Sequence, residues 1–557
     1  MEQGARPGYF RLFWSWGTLA QIVSLCVFAF IFCYLCGQRG IFPLDQSIVF
    51  DGAYRIQRGQ IPFRDFVTPH SLLVLYFQSL LFSVFGTSYS SYLLGAALLN
   101  VIAVVFSVRI ISILFPQRRL SALSAGVLTS AWFLAPFGTP FGEQCAFLLG
   151  LIGIDCLLRA LLEVDESHPT AHMRGVVVAG FLAGASFYAK QNVALFLLPF
   201  FLCTPLIVWT PDWRRVGVIL LALLGGFAVA LALPLLFVIL SGGWQNFSYF
   251  YVLLPIATAL RRFSYGQTIA GGNALSLWLA VVVVVSAGLL SIRRPLSAHL
   301  HALFAARTRL MHESVAAWLA LYCLLISHFL RRSMLNNPTM ADVYIGLVVG
   351  IVGALVVERD TRSAQRYKKV FLGFVAIVFA FGCFLSWQRK VHESVKDSTF
   401  AQGLPIAGLE PLRWGEPTLL FDGDLKQDEE GLDLSAASLV ELVEFLQSDD
   451  RNFFIFPDFT FLYAVTGKPS PQPLLFFHRG LTYPPEYDVA VDSWIVESLI
   501  ANQVGVVVLE QKSFFGTAKR LADFPLLESF LSSNFSEYRQ IGPFKILVLR
   551  AVDEPSE

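Results

Sequence analysis

Long apolar runs alternate with short polar loops over the first 387 residues, and the pattern changes character after that. Runs long enough to cross a bilayer, about 20 residues each, fall near 18–37, 88–114, 120–138, 144–162, 216–240, 273–291, 314–330, 340–357 and 369–387. A further apolar stretch, 175–209, has room for two short spans and is broken at its middle by Lys190, Gln191 and Asn192. The break predicts a tight hairpin with Lys190 at its tip, which brings the expected total to eleven spans. The stretch 71–86 is apolar too, but its 16 residues are short for a crossing and suit an interfacial or re-entrant helix.

Past residue 388 the apolar runs shrink to strand length. Thr418–Phe421, Asn452–Phe456, Val504–Leu509 and Phe544–Leu549 read as strands, and helical patterns near 434–447, 489–501 and 518–532 alternate with them. Such alternation predicts a small α/β domain. The expected fold is a polytopic α-helical membrane protein of about 11 transmembrane helices: residues 1–387 form the membrane domain, with 38–87 as its first outer loop, and 388–557 form the α/β domain. No internal repeat is evident, which weakens a transporter built from two similar halves.

Basic residues orient the spans, because Lys and Arg stay on the cytoplasmic side of short loops. With the N-terminus inside, the cytoplasmic loops hold Arg118 and Arg119, Arg159 and Arg174, Arg214 and Arg215, Arg293, Arg294, Arg307 and Arg309, then Arg359, Arg362, Arg366, Lys368 and Lys369. The fit requires that 71–86 not cross, since one more span would put every later basic loop outside. Eleven crossings then leave 388–557 extracytoplasmic. Arg6 and Arg11 precede the first apolar stretch with no small-residue cleavage site after it, so that stretch reads as a retained span.

Composition narrows the class. The 557 residues are 55% hydrophobic and 15% charged, too apolar for a soluble chain of this length. A formal net charge of +1 and the lack of a Lys/Arg-rich run argue against nucleic acid as a partner. All eight cysteines (Cys26, Cys33, Cys36, Cys145, Cys156, Cys203, Cys323 and Cys383) lie in or beside apolar segments, so no disulfide framework is indicated.

The first outer loop carries the most chemistry. Asp45 follows the first span and opens an amphipathic helix to Arg58, which Gly59 ends before a turn around Pro62. A carboxylate at the membrane surface can take a proton from a hydroxyl; the plainer reading is an Asp that caps the following helix. Asp51 lies six residues on, about 600° around a helix, so the two carboxylates do not share a face. Asp65 adjoins Arg64 and is a natural partner for it.

These residues resemble the GT-C glycosyltransferases, and among them the branch of protein O-mannosyltransferases and lipid A aminoarabinose transferases. The resemblance rests on an Asp just after the first span, Gly59 fourteen positions later, Pro62-Phe63-Arg64-Asp65-Phe66, Pro69 before an apolar helix, and Phe85-Gly86. It extends through Gly180-Phe-Leu-Ala-Gly184 to Lys190-Gln191, and to Pro457-Asp458 through Tyr463 and Gly467-Lys468 in the tail. It implies a bacterial inner-membrane enzyme that takes a sugar from a polyprenyl-phosphate donor and passes it to a glycan, lipid or protein acceptor outside the cytoplasm. It also assigns the catalytic carboxylate to Asp45.

Glu143 follows the third span, at the outer surface on this topology, where related enzymes use an acid; the alternative is an acid favoured by the helix N-terminus. Arg261, Arg262, Arg331 and Arg332 break the charge rule by lying outside, and guanidinium groups suit phosphate oxygens. With Lys190 and His70 they are the expected pocket for the lipid phosphate. Lys190 is the strongest of these, because a charge within an apolar hairpin needs a partner. The implied chemistry is in-line, inverting displacement: the acceptor hydroxyl attacks, Asp45 takes its proton, and an already anionic polyprenyl phosphate leaves. No closely spaced set of metal ligands is visible, so no cofactor is expected and a divalent metal is not predicted. The rival readings are a transporter or flippase of lipid-linked sugars, which leaves the tail unexplained, and a membrane scaffold, which leaves Lys190 and the outer cations unexplained.

Overall fold

The computed structural model describes residues 16–37, 43–133, 138–163, 169–209, 212–264, 311–326, 344–357, 364–388, 409–413, 418–422, 436–511, 513 and 516–550. Its membrane part contains α1 (Trp16–Gly37), α2 (Pro43–Gln57), α3 (Leu72–Phe85), α4 (Tyr89–Leu114), α5 (Arg119–Trp132), α6 (Gly142–Leu162), α7 (Pro169–Ala189), α8 (Gln191–Trp209) and α9 (Trp213–Leu240). Then come α10 (Leu254–Ser264), α11 (Met311–Ile326), α12 (Ile345–Val352) and α13 (Ala364–Gln388). Among the described residues six helices are long and apolar enough to cross a membrane: α1, α4, α6, α8, α9 and α13. The apolar run expected at 273–291, the loop basic residues at 293–309, and Arg359 and Arg362 lie outside the described residues.

Contacts between helix ends trace an up-and-down path. Gly37 closes α1 against Leu93 and Gly138, while Gly17 at its other end faces Arg119. His312 Nδ1 donates to the Leu114 carbonyl at 3.1 Å, so α11 starts where α4 ends. Trp132 Nε1 donates to Val378 O at 3.1 Å and Ser386 Oγ to Ala131 O at 2.9 Å, which brings α13 up beside α5 and leads the chain into the sheet domain. The face on which α13 ends is here the sheet-bearing face.

The helix α3 does not cross. Its first turn meets Ala189, whose carbonyl accepts from Ser71 N at 3.0 Å. Its last residue, Phe85, accepts from Ser91 Oγ at 3.4 Å, so both ends sit on the sheet-bearing face. Leu80 and Val84 on its outward side are 61% and 64% exposed, as a helix lying in the bilayer interface requires.

The hairpin expected at Lys190 is present. Gly153 of α6 meets Ala179 of α7 and Phe201 of α8, and Gly150 meets Leu197, so α8 runs back alongside α6 while α7 runs against it. Glycines let α7 approach α9 closely. A Cβ at Gly180 would collide with the Leu223 carbonyl, one at Gly184 with that of Phe227, and one at Gly226 with that of Val177.

The sheet domain contains β1 (Leu409–Arg413) paired with β2 (Thr418–Asp422), and a second sheet of β3 (Asn452–Phe456), β4 (Val504–Glu510), β5 (Phe535–Ile541) and β6 (Phe544–Leu549) in the order β3-β4-β6-β5. The β3/β4 pair is parallel and the other two pairs are antiparallel. Helices α14 (Ala436–Ser448), α15 (Leu462–Thr466), α16 (Val489–Ala501), α17 (Thr517–Leu521) and α18 (Pro525–Asn534) accompany the strands. The sequence pattern misses β1 and β5; in β5 only the two ends are buried, so no alternation marks it. It also runs α17 and α18 together, where Pro525 opens a new helix.

Between β3 and α16 the chain leaves the sheet and lies along the first outer loop. Val67 N donates to Pro473 O at 2.8 Å and Leu475 N to Val67 O at 3.2 Å, so the two domains share backbone pairing.

Candidate active site

Three separate pieces of chain meet at the tip of the α7–α8 hairpin. The turn before α3 supplies His70 and Ser71, the first turn of α6 supplies Glu143, and the hairpin supplies Lys190 and Gln191. Ser71 has a left-handed backbone (φ 67°) and its amide bonds to Ala189 O. Gly142 fits beneath, since a Cβ there would strike Ser71 Oγ and Ala189 O. Gln191 Nε2 spans the join, donating to Pro69 O at 2.7 Å and Tyr251 O at 3.1 Å.

Lys190 Nζ sits 2.7 Å from Glu143 Oε1, with the two side chains only 18% and 14% exposed. The sequence singles out both residues, and as a purely structural cation Lys190 would have Asp45 or Glu143 for its counter-ion. His70 Nδ1 and Ser71 Oγ share a hydrogen bond of 2.7 Å, and the His70 ring lies 6.1 Å from that of Phe476 on the sheet-domain excursion. Burial holds the His70 imidazole well below its usual pKa, with the charges of Lys190 and His478 adding to the effect. His70 is therefore neutral at pH 7.

An apolar groove opens beside this cluster, lined by Pro62, Phe63, Leu72, Leu73, Tyr76, Tyr188, Pro234, Phe237 and Val238. Leu72 follows Ser71 directly and Tyr188 is two residues before Lys190, so the groove and the polar cluster draw on neighbouring stretches of chain.

On the other side stands α2. Position 45 falls in its first turn and, by helical spacing, shares a face with Val49 and Gly52. At Gly52 that face touches Leu75 and Leu475, which are close in sequence to His70 and Phe476. The side chains of Asp45, Arg261 and Arg262 lie outside what the structure describes, and so do residues 331 and 332 entirely, with Arg331 and Arg332. The backbone of α10 carries positions 261 and 262 one turn after Thr258, whose hydroxyl donates to Gly480 O.

The other two first-loop acids are engaged. Arg55 Nε meets Asp51 Oδ2 at 2.9 Å in a pair 1% and 0% exposed. Asp65 binds Arg64 at 2.7 Å and accepts from Ile61 N at 2.7 Å. Sequence reading overlooked Ser470 and Gln472, which reach Asp51 and Arg55 across more than 400 positions of chain. Their only local signal is a proline-rich turn.

No family model matches the chain, and no curated protein sequence matches it. The solved structures similar to it include the following two. One is the Archaeoglobus fulgidus oligosaccharyltransferase tethered to an acceptor peptide containing the NVT sequon: 13% identity, TM-score 0.47, covering 98% of this chain and 75% of that one. Another is ArnT from Cupriavidus metallidurans bound to undecaprenyl phosphate: 14% identity, TM-score 0.45, covering 96% of this chain and 98% of that one. Identities and TM-scores this low describe a likeness of layout and nothing finer.

Proposed function

We propose that the protein is a glycosyltransferase that takes a sugar from a polyprenyl-phosphate donor and transfers it, with inversion, to an extracytoplasmic glycan, lipid or protein. The observation that carries the reading is the Lys190–Glu143 pair at 2.7 Å, near in sequence to Tyr188, which lines an apolar groove. A polyprenyl phosphate needs both parts: an apolar bed for its chain and a cation at the membrane surface for its phosphate. An ammonium has three donors, so Lys190 can hold Glu143 and still present two N–H groups to phosphate oxygens. Glu143 orients it, His70 adds a neutral donor, and Arg261 and Arg262, carried on α10, are proposed as further phosphate ligands. Arg331 and Arg332 complete the proposed set.

In the proposed reaction Asp45, at the start of α2, takes the acceptor hydroxyl proton as the oxygen attacks the anomeric carbon. The bond to the phosphate oxygen breaks, and polyprenyl phosphate leaves as an anion held by Lys190. We infer no metal requirement, and dialysis against EDTA should leave turnover unchanged. The N-terminus is cytoplasmic and the sheet domain extracytoplasmic in a bacterial inner membrane. Arg118, Arg119, Lys368 and Lys369, which cluster at the face opposite the sheet domain, support that orientation.

The test is direct. Purified full-length protein in nanodiscs should bind undecaprenyl phosphate and release it from an undecaprenyl-phosphate-linked sugar. Movement of the intact lipid-linked sugar across the bilayer without bond cleavage would mark a flippase instead.

A further inference from the structure

We propose that the sheet domain positions α2, through a buried rail of Ser47, Asp51 and Arg55, and so acts on the reaction through position 45. This rests on the reading of Asp45 as the base. The three rail residues recur every fourth position and share one helix face. Each meets the excursion in turn: Ser47 Oγ accepts from Phe461 N at 3.3 Å, Asp51 Oδ1 accepts from Ser470 Oγ at 2.6 Å, and Arg55 Nη1 donates to Gln472 O at 2.6 Å.

A second grip holds the flank of α2 that faces the membrane helices. Gln46 Nε2 donates to Tyr89 OH at 2.8 Å, and the Phe50 ring packs 5.0 Å from Phe82 and 5.2 Å from Tyr92. A helix gripped from the sheet domain on one side and from α3 and α4 on the other is fixed in rotation and in height. The face of Gly52 is filled as tightly: a Cβ there would lie 2.9 Å from Leu75 and 3.1 Å from Leu475. Position 45 shares this face two turns earlier on the same rigid helix, so a small turn of α2 displaces it as well.

Plain adhesion between domains would not call for such residues, because a buried ion pair is a poor glue beside well-packed apolar side chains. Its geometry is directional instead. Asp51 and Arg55 meet one hydroxyl and one carbonyl of a loop that is tied by backbone pairing to Val67, near His70. The rail thus ties α2 to the turn that holds the proposed phosphate site.

Hydrogen exchange on the full chain in nanodiscs tests the rail, with undecaprenyl phosphate as the binding probe. In Ser470→Ala, amides 46–52 should exchange about ten-fold faster, the equivalent of one lost hydrogen bond, while those of α4 and β4 keep their rates. The kcat for undecaprenyl phosphate release should fall about ten-fold, in keeping with the sensitivity of rate to sub-ångström misplacement. The KM for the lipid-linked sugar and the affinity for undecaprenyl phosphate should stay within about two-fold, because neither phosphate ligands nor groove are touched. Asp51→Asn should act in the same direction and more strongly. Unchanged exchange at 46–52, or uniformly faster exchange across the sheet domain, overturns the rail. So does faster exchange at 46–52 with an unaltered kcat. If the wild type releases no undecaprenyl phosphate from any lipid-linked sugar, the transferase reading fails, and the exchange pattern alone decides whether the sheet domain positions α2.

Discussion

Removing either member of the Lys190–Glu143 pair separates a phosphate ligand from a structural counter-ion. Two unit charges 2.7 Å apart attract by about 6 kcal/mol at an effective dielectric constant of about 20. Desolvation offsets much of this, since both side chains are more than four-fifths buried. Lys190→Met and Glu143→Gln should therefore each destabilise the protein by about 2–4 kcal/mol, and the double variant by less than their sum. Reversible unfolding in mixed micelles measures the cycle, and a coupling of about 2 kcal/mol is expected.

Binding should move differently from stability. Lys190→Ala, if the ammonium meets the lipid phosphate, weakens undecaprenyl phosphate by about 1.5–3 kcal/mol, roughly 10- to 150-fold in Kd. Glu143→Gln removes the competing anion and leaves Lys190 in place, so affinity for undecaprenyl phosphate should rise even as the protein becomes less stable. A lysine that serves only to neutralise Glu143 predicts no gain. Equal affinity in wild type, Lys190→Ala and Glu143→Gln, each shown to be folded, refutes the phosphate site at the hairpin tip.

The base, the topology and the sheet domain offer three more tests. Asp45→Asn should lower transfer by about 10² to 10⁴ with undecaprenyl phosphate affinity unchanged, and wild-type turnover in that variant would move the base elsewhere. In a cysteine-free background, Cys at the exposed Ser533 should react with an impermeant maleimide in intact cells while Cys at the exposed Gln117 does not, and the reverse pattern inverts the topology. Burial, with Asp458 adding to it, pushes the Glu510 carboxyl well above its usual range. A raised folded-state pKa means that the fold holds the proton more tightly than the unfolded chain, so this contribution is full in acid and is lost as pH rises above the usual carboxyl value of about 4.3. Glu510→Gln keeps an acceptor for Asp458 N and Phe459 N, at 2.5 and 2.9 Å from the native oxygen. It should melt above the wild type at pH 8, with the gap closing near pH 4; a gap independent of pH removes Glu510 as its source.

Periodicity and charge made the elements legible, because those signals are local. The strands at 452–456 and 544–549, the helix at 489–501, the non-crossing helix after Ser71 and the turn at Lys190 all leave their mark within a few residues. The interface between the domains leaves none. Asp51 in isolation is an acid on an amphipathic helix, and only the fold shows it meeting Ser470, 419 positions away. Glu143 and Lys190 are each conspicuous in sequence, yet their pairing depends on Gly142 letting α6 slide under Ser71 and Ala189, a contact that no spacing rule contains. Position 45 is the opposite case. The resemblance names it as the base, whereas the structure describes the helix that carries it and not its side chain.

The glycines of α7 explain how a charge comes to stand at that tip. Gly180 and Gly184 bring the α7 backbone against the carbonyls of Leu223 and Phe227 on α9, and Gly226 answers from α9 against Val177. In a bilayer, where lipid tails compete with every apolar side chain, such backbone approach is a main source of helix affinity. Fixing α7 to α9 over this length fixes where α7 stops, and it stops at Ala189, whose carbonyl is already bound by the Ser71 amide. Lys190 is thereby placed level with the first turn of α6, where it meets Glu143, instead of at mid-bilayer, where its charge would cost about 2.5–3.5 kcal/mol. The small-residue spacing that reads in sequence as mere packing thus sets the height of the cation at the hairpin tip.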